Sequence, residues 1–108
     1  MKTSERMLEL AVEQAKKSCH SKFHHGCVLT KNGKVLSTGY NRDTFRGRAS
    51  EHAEEAALRD VNLRDSRGAT MLIVRVRADG TLGHSQPCKR CMNILMKRGV
   101  SKIIYSSS

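Results

Sequence analysis

The chain has 108 residues, 20 of them basic and 10 acidic, for a formal net charge of +10. That length suits one domain, residues 1–108, with a modest core. Its longest wholly aliphatic or methionine run, Met71-Leu72-Ile73-Val74, is far too short to cross a bilayer, and the charged N-terminus has no apolar signal core, so a soluble, cytoplasmic or otherwise intracellular protein is expected.

Thr3 or Ser4 can cap a first helix, along which Met7, Leu8, Ala11, Val12 and Ala15 form one apolar stripe. Lys16 and Lys17 suit its negative end. Residues 26–30 and 34–40 are β-like, and the Asn32-Gly33 step between them predicts a hairpin. A loop at 42–49 follows, carrying Arg42, Phe45, Arg46 and Arg48. Guanidinium groups beside an aromatic ring suit a phosphate and a stacked base, so these four are candidate substrate contacts; the alternative is a solvated loop.

Ser50 is expected to cap a second helix, with His52 and Glu54 in its first turn and Ala53, Ala56, Ala57 and Val61 facing inward. Residues 70–77 read as a mostly buried strand and Asp79-Gly80 as a turn. Pro87 is expected at the first position of a third helix, which puts Cys88 and Cys91 three apart on one face near its positive end, where a thiolate is favoured. Met92, Leu95 and Met96 continue inward, and Lys97-Arg98-Gly99 stops the helix. A last strand at 102–105 precedes three serines expected to fray. Two strand-helix-strand units in this order imply a mixed sheet with helices on its faces.

The chemistry concentrates in His52, Glu54, Cys88 and Cys91. One imidazole and two thiolates suit Zn2+, and three protein ligands leave a tetrahedral ion one open position, the mark of a catalytic rather than a structural site. Glu54, a hard carboxylate two residues from a ligand, is better placed to move protons than to bind the metal. Two rivals remain: a redox pair at Cys88 and Cys91, which leaves His52 and Glu54 unexplained, and a non-catalytic zinc-containing nucleic-acid-binding module. Cys19 and Cys27 are read as a half-exposed thiol and a small core residue. The excess of positive charge favours an anionic partner, a nucleotide or nucleic acid. With two Phe, two Tyr and no Trp, few stacking platforms are present, and a plain basic surface is the equal alternative.

His52-Ala53-Glu54 followed by Pro87-Cys88-Lys89-Arg90-Cys91 resembles the H-x-E and P-C-x-x-C signature of the cytidine deaminase-like zinc-dependent deaminases, a family that includes cytidine, deoxycytidylate and tRNA adenosine deaminases. The resemblance runs from about Cys27 to Tyr105. It implies an α/β fold, a three-layer α/β/α sandwich around a mixed four-stranded sheet, here with a short C-terminus that leaves the site less covered or completed by a partner subunit. It implies a homo-oligomer, a dimer first of all. It assigns Asn41 to the substrate's sugar or base, against a reading of Asn41 as a turn former. In tRNA adenosine deaminases the connection at 78–86 is nearly absent and a Glu usually precedes the Pro; here Gln86 stands there. The activity implied is hydrolytic removal of a nucleobase amino group, with cytosine in a nucleoside, nucleotide or polynucleotide preferred and adenosine in RNA the alternative.

Overall fold

Side chains alternate between the two faces of a strand, and here both faces are apolar along the centre of the sheet. The computed structural model describes residues 5–18, 23–42 and 51–107. In chain order the elements are α1 (Glu5–Lys17), β1 (His24–Lys31), β2 (Lys34–Tyr40), α2 (Ala53–Leu58), α3 (Leu63–Ser66), β3 (Thr70–Val76), β4 (Leu82–Gly83), α4 (Lys89–Lys97) and β5 (Lys102–Tyr105). On β1 and β3, Cys27, Leu29, Met71 and Ile73 point into one core with Ala53, Ala57, Leu58 and Leu95 from α2 and α4. Val28, Leu72, Val74 and Val76 point the other way, onto Ala11 and Ala15 of α1. Two cores on opposite faces of one sheet make three layers, α/β/α.

The expected stripe of α1 is the one that packs: Met7, Leu8 and Val12 border its buried alanines. The cap expected from Thr3 or Ser4 lies outside the described residues. At the hairpin both Asn32 (φ 53°) and Gly33 (φ 77°) take positive φ, the pair of values that a two-residue type I′ turn demands.

Among the described residues the sheet has five strands, not four. Antiparallel β2, β1 and β3 lie side by side in that order. The free edge of β3 is then shared: β5 pairs in parallel with Thr70–Ile73, and β4 pairs antiparallel with Arg75 and Val76. The fifth strand is two residues within the 78–86 connection. It adds no width, because it extends the lane that β5 begins. Four other expectations shift. The N-cap of α2 is His52, so the helix starts beyond the Ser50 cap expected from sequence, and Ser50 itself lies outside the described residues. Pro87 precedes the N-cap of α4 instead of occupying its first turn. Met96 is 70% exposed, since Leu95 takes the inward position beside it. Ser106 is not frayed: its N–H donates to the Ile73 carbonyl (3.1 Å) and its hydroxyl to that of Gly83 (2.6 Å). A one-turn helix, α3, also appears where none was expected, capped by the Asn62 side chain accepting the Asp65 N–H at 2.8 Å.

Helix α4 ends as expected. Gly99 (φ 77°) donates to Met96 and Val100 reaches back to Leu95, the paired bonds of a Schellman stop. No described helix is long and apolar enough to cross a membrane.

Close contact sets the position of α2. A Cβ at Gly39 on β2 would stand 2.5 Å from the Ala57 nitrogen and 2.6 Å from the Ala53 oxygen. Backbone, not a movable side chain, blocks it, so only glycine lets α2 lie this near the sheet. Gly39→Ala should therefore lower stability by about 1–3 kcal/mol or more, the usual range for overpacking. A urea unfolding midpoint equal to wild type would show that α2 does not rest on Gly39.

Candidate metal centre

Two helix starts bring the donors together. His52 is the N-cap of α2, in extended conformation (φ −79°, ψ 154°), which turns its side chain off the end of the helix. Its N–H donates to the Glu55 carboxylate at 3.2 Å, so the first turn holds the residue in place. Cys88 is the N-cap of α4 (φ −68°, ψ 166°), and Cys91 lies three residues on, in the first turn. An ion pair between Arg90 and Glu55 joins the two helix starts.

His52 Nδ1 faces both sulfurs, 3.1 Å from Cys91 Sγ and 3.8 Å from Cys88 Sγ, and the three donor atoms lie within 4.8 Å of one another. A tetrahedral zinc about 2.3 Å from sulfur and about 2.0–2.1 Å from nitrogen needs its ligands this close, so the cluster fits the ion in donor type, number and spacing. Among the described residues it is the one such group of three. Cys91 is buried and Cys88 exposed. Burial, and then the Glu54 charge, push the Cys91 thiol well up. A bound cation acts in the opposite sense and favours the thiolate.

Glu54 is 6% exposed. Loss of solvent is the largest influence on its carboxyl and raises it above the usual carboxylate range, against hydrogen bonding and the nearby His52, which lower it. Cys27 of β1 donates its S–H to Glu54 Oε1 at 3.9 Å. The small core residue expected at Cys27 is thus also a neighbour of the proposed proton carrier. A buried carboxyl of raised pKa holds a proton more readily than an exposed one, as a group that takes and returns a proton must.

A cavity of about 270 Å³ opens over this group, lined among others by Phe23, His25, Asn41, His52, Glu54, Gln86 and Cys88. Asn41 is thus at the site, but its side chain is mostly engaged within the protein. Its Oδ1 accepts the His25 N–H (2.8 Å) and the Ser18 hydroxyl (2.7 Å), and its Nδ2 donates to the Phe23 carbonyl (2.8 Å). Among the described residues one amide hydrogen of Asn41 is left over. These bonds tie the end of β2 to the start of β1, so Asn41 shapes the wall that it lines. Arg42 does not line this cavity. It forms an isolated antiparallel bridge with Glu51, and its side chain pairs with that carboxylate at 3.2 Å, beside Arg59. Phe45, Arg46 and Arg48 lie outside the described residues, as does Cys19.

Sequence reading missed Phe23, His25 and Ser85. His25 comes to the cavity on the strand that pairs with β3, and Phe23 by the bond from Asn41 to its carbonyl, contacts between distant segments that no local spacing signals. Ser85 donates to the Ile73 carbonyl (2.9 Å), and its hydroxyl lies 2.8 Å from that of Ser106, fastening the approach to Cys88 onto the sheet edge.

With this geometry in view, residues 1–107 match the family model described as the cytidine and deoxycytidylate deaminase zinc-binding region. A tRNA-specific adenosine deaminase of Streptococcus pyogenes is 25% identical over 105 residues, which cover 94% of this chain and 60% of that protein. A diaminohydroxyphosphoribosylamino-pyrimidine deaminase of Schizosaccharomyces pombe is 29% identical over 108 residues, covering 90% of this chain and 24% of that protein. The chain therefore spans 60% or less of the length of these two relatives. Among solved structures, a cytidine deaminase from Burkholderia pseudomallei superposes with a TM-score of 0.69 at 26% identity, over 91% of this chain and 78% of that one.

The metal is directly measurable. Protein purified without chelator should carry one zinc per chain by elemental analysis, and Cys88→Ser should lose most of it. Stripping zinc should also lower the melting temperature, because binding stabilises only the folded state. Wild-type protein lacking stoichiometric metal would contradict the assignment.

Proposed function

We propose that this chain, which belongs to the cytidine and deoxycytidylate deaminase zinc-binding family, catalyses hydrolytic removal of an amino group from a nucleobase, with release of ammonia. One observation carries the reading: the buried carboxyl of Glu54 stands beside the His52, Cys88 and Cys91 donor set, on the wall of an open cavity. A purely structural zinc site needs neither an open position nor a proton carrier at hand.

His52, Cys88 and Cys91 would hold the zinc, which supplies Lewis acidity that makes water a nucleophile near neutral pH. Glu54 does the proton work. Its carboxylate takes a proton from the attacking water and delivers it to the ring nitrogen next to the carbon under attack. A second proton from the same water passes to the departing amine, so that water and base become ammonia and the oxo base. The wall built from Asn41, His25 and Phe23 positions the ring and keeps bulk water from its faces.

Cytosine is the base we favour, free in a nucleotide or within a polynucleotide. A cavity of about 270 Å³ is small and suits a single ring with its sugar. Two of the relatives named above are deaminases of a pyrimidine or of cytidine. Adenosine in RNA is the second reading, supported by the tRNA-specific relative and by the net charge of +10.

Glu54→Gln keeps the size of the side chain and removes its basicity. Zinc content and folding should survive while kcat for ammonia release falls by at least about 100-fold, with KM little changed. The wild-type assay should span cytidine, dCMP, adenosine, single-stranded DNA and tRNA, so that the base and its carrier are identified together. A folded, zinc-loaded Glu54→Gln protein with near wild-type turnover would overturn the mechanism.

A further inference from the structure

Residues in register on neighbouring strands share a face of the sheet. His25, Arg75 and Gly83 form one such row across β1, β3 and β4. Two residues back along the strands, Cys27 and Ile73 lie under α2 and α4. Arg75 is therefore on the metal face, just beyond the cover of the helices, and Arg77 follows two residues on. Both are half-buried.

The two guanidinium groups converge. A Cβ at Gly83 would stand 3.1 Å from Arg75 Nε and 3.4 Å from Arg77 Nε, so the missing side chain is what gives both groups their room. Arg75 also ties this spot to the cavity: its Cζ is 5.2 Å from the ring centre of Phe23, and Phe23 lines the cavity. Among the described residues, neither arginine has a carboxylate within ion-pair distance. The ion pairs among the described residues are those of Arg42 and Arg59 with Glu51 and of Arg90 with Glu55. Arg75 makes a long bond to the His84 carbonyl (3.5 Å), and Arg77 one to the Thr81 hydroxyl (3.3 Å). Asp79, within electrostatic reach of Arg77, has its carboxylate occupied by the Thr81 N–H and hydroxyl at 2.9 and 2.6 Å. Two half-buried cations side by side repel each other, and among the described residues most of their ten N–H donors are unspent.

We propose that Arg75 and Arg77 form a phosphate-binding subsite at the rim of the cavity, taking a phosphate of the substrate while its base lies in the cavity. The subsite rests on the deaminase reading for the base, but not for the phosphate. A phosphate offsets both charges at once and accepts the forked donors that a guanidinium presents. It enters either as the 5′-phosphate of a single nucleotide or as the backbone of a polynucleotide.

Binding of CMP, of cytidine and of a cytosine-containing single-stranded oligonucleotide to the zinc-loaded protein tests this without turnover, in the Glu54→Gln background. Arg75→Gln/Arg77→Gln should weaken at least one phosphate-bearing ligand by about tenfold or more at low salt, and flatten its salt dependence, while leaving cytidine affinity unchanged. Loss with CMP assigns the phosphate of a single nucleotide; loss with the oligonucleotide alone assigns a backbone phosphate. Lys34→Gln/Lys97→Gln removes two exposed charges elsewhere and should have little effect. Arg77→Gln alone, which leaves the Phe23 contact intact, carries the test if the double variant does not fold. Equal losses in the lysine and arginine variants, no loss in the arginine variants, or no binding of either phosphate ligand to the parent protein would overturn the subsite. Ammonia release is scored separately in the wild-type background. If no base is deaminated yet the arginine dependence holds, the deaminase reading falls and the subsite stands.

Discussion

The structure depends on two helix starts meeting at one point. His52 caps α2, Cys88 caps α4, and Cys91 follows in the same turn. These side chains stand at the helix ends where unpaired N–H groups concentrate positive charge. For the donors to come within 4.8 Å, both helices must sit at fixed heights on the sheet. Gly39 sets that height for α2 by admitting its backbone. Leu95, in the same core as Ala53, Ala57 and Met71, anchors α4, and the Arg90–Glu55 pair joins the two ends. A bound metal then closes a cross-link between segments far apart in sequence, adding stability to a small core.

The same arrangement explains how Glu54 comes to be buried beside the donors. In the first turn of α2 it lies between the donor cluster and Cys27 of β1. Desolvation raises its pKa, which a carboxylate serving only as a surface charge would not show. The cavity in front of it is walled by the ends of β1 and β2, which Asn41 holds together through bonds to Ser18, Phe23 and His25. Across the opening, Ser85 and Ser106 fasten the approach to Cys88 onto the edge of β3. Cavity wall, the approach to Cys88 and sheet edge are thus parts of one hydrogen-bonded frame.

Features set by local chemistry were legible in the sequence. Asn32-Gly33 dictated the hairpin, Gly99 the end of α4, and the donor types of His52, Cys88 and Cys91 the metal. What escaped was set by distant partners. A two-residue strand at Leu82–Gly83 exists because the edge of β3 beyond β5 lacks a partner, and nothing in Leu-Gly itself announces pairing. Ser106 looked like a frayed tail because its partners, Ile73, Gly83 and Ser85, lie more than twenty residues away. The bridge that sets Arg42 beside the Glu51 carboxylate likewise joins residues with no readable spacing between them. The capping residue of α3 was an exception. Asn62 is a favoured N-cap residue and so a readable start signal.

The central claim is that one histidine nitrogen and two cysteine sulfurs share a single zinc with room for one more ligand. X-ray absorption at the zinc edge measures this shell without substrate or activity. The account predicts two sulfur scatterers at about 2.3 Å and two lighter ones at about 2.0–2.1 Å, one from His52 and one from solvent. A shell of four sulfurs, or one with no sulfur, would contradict it.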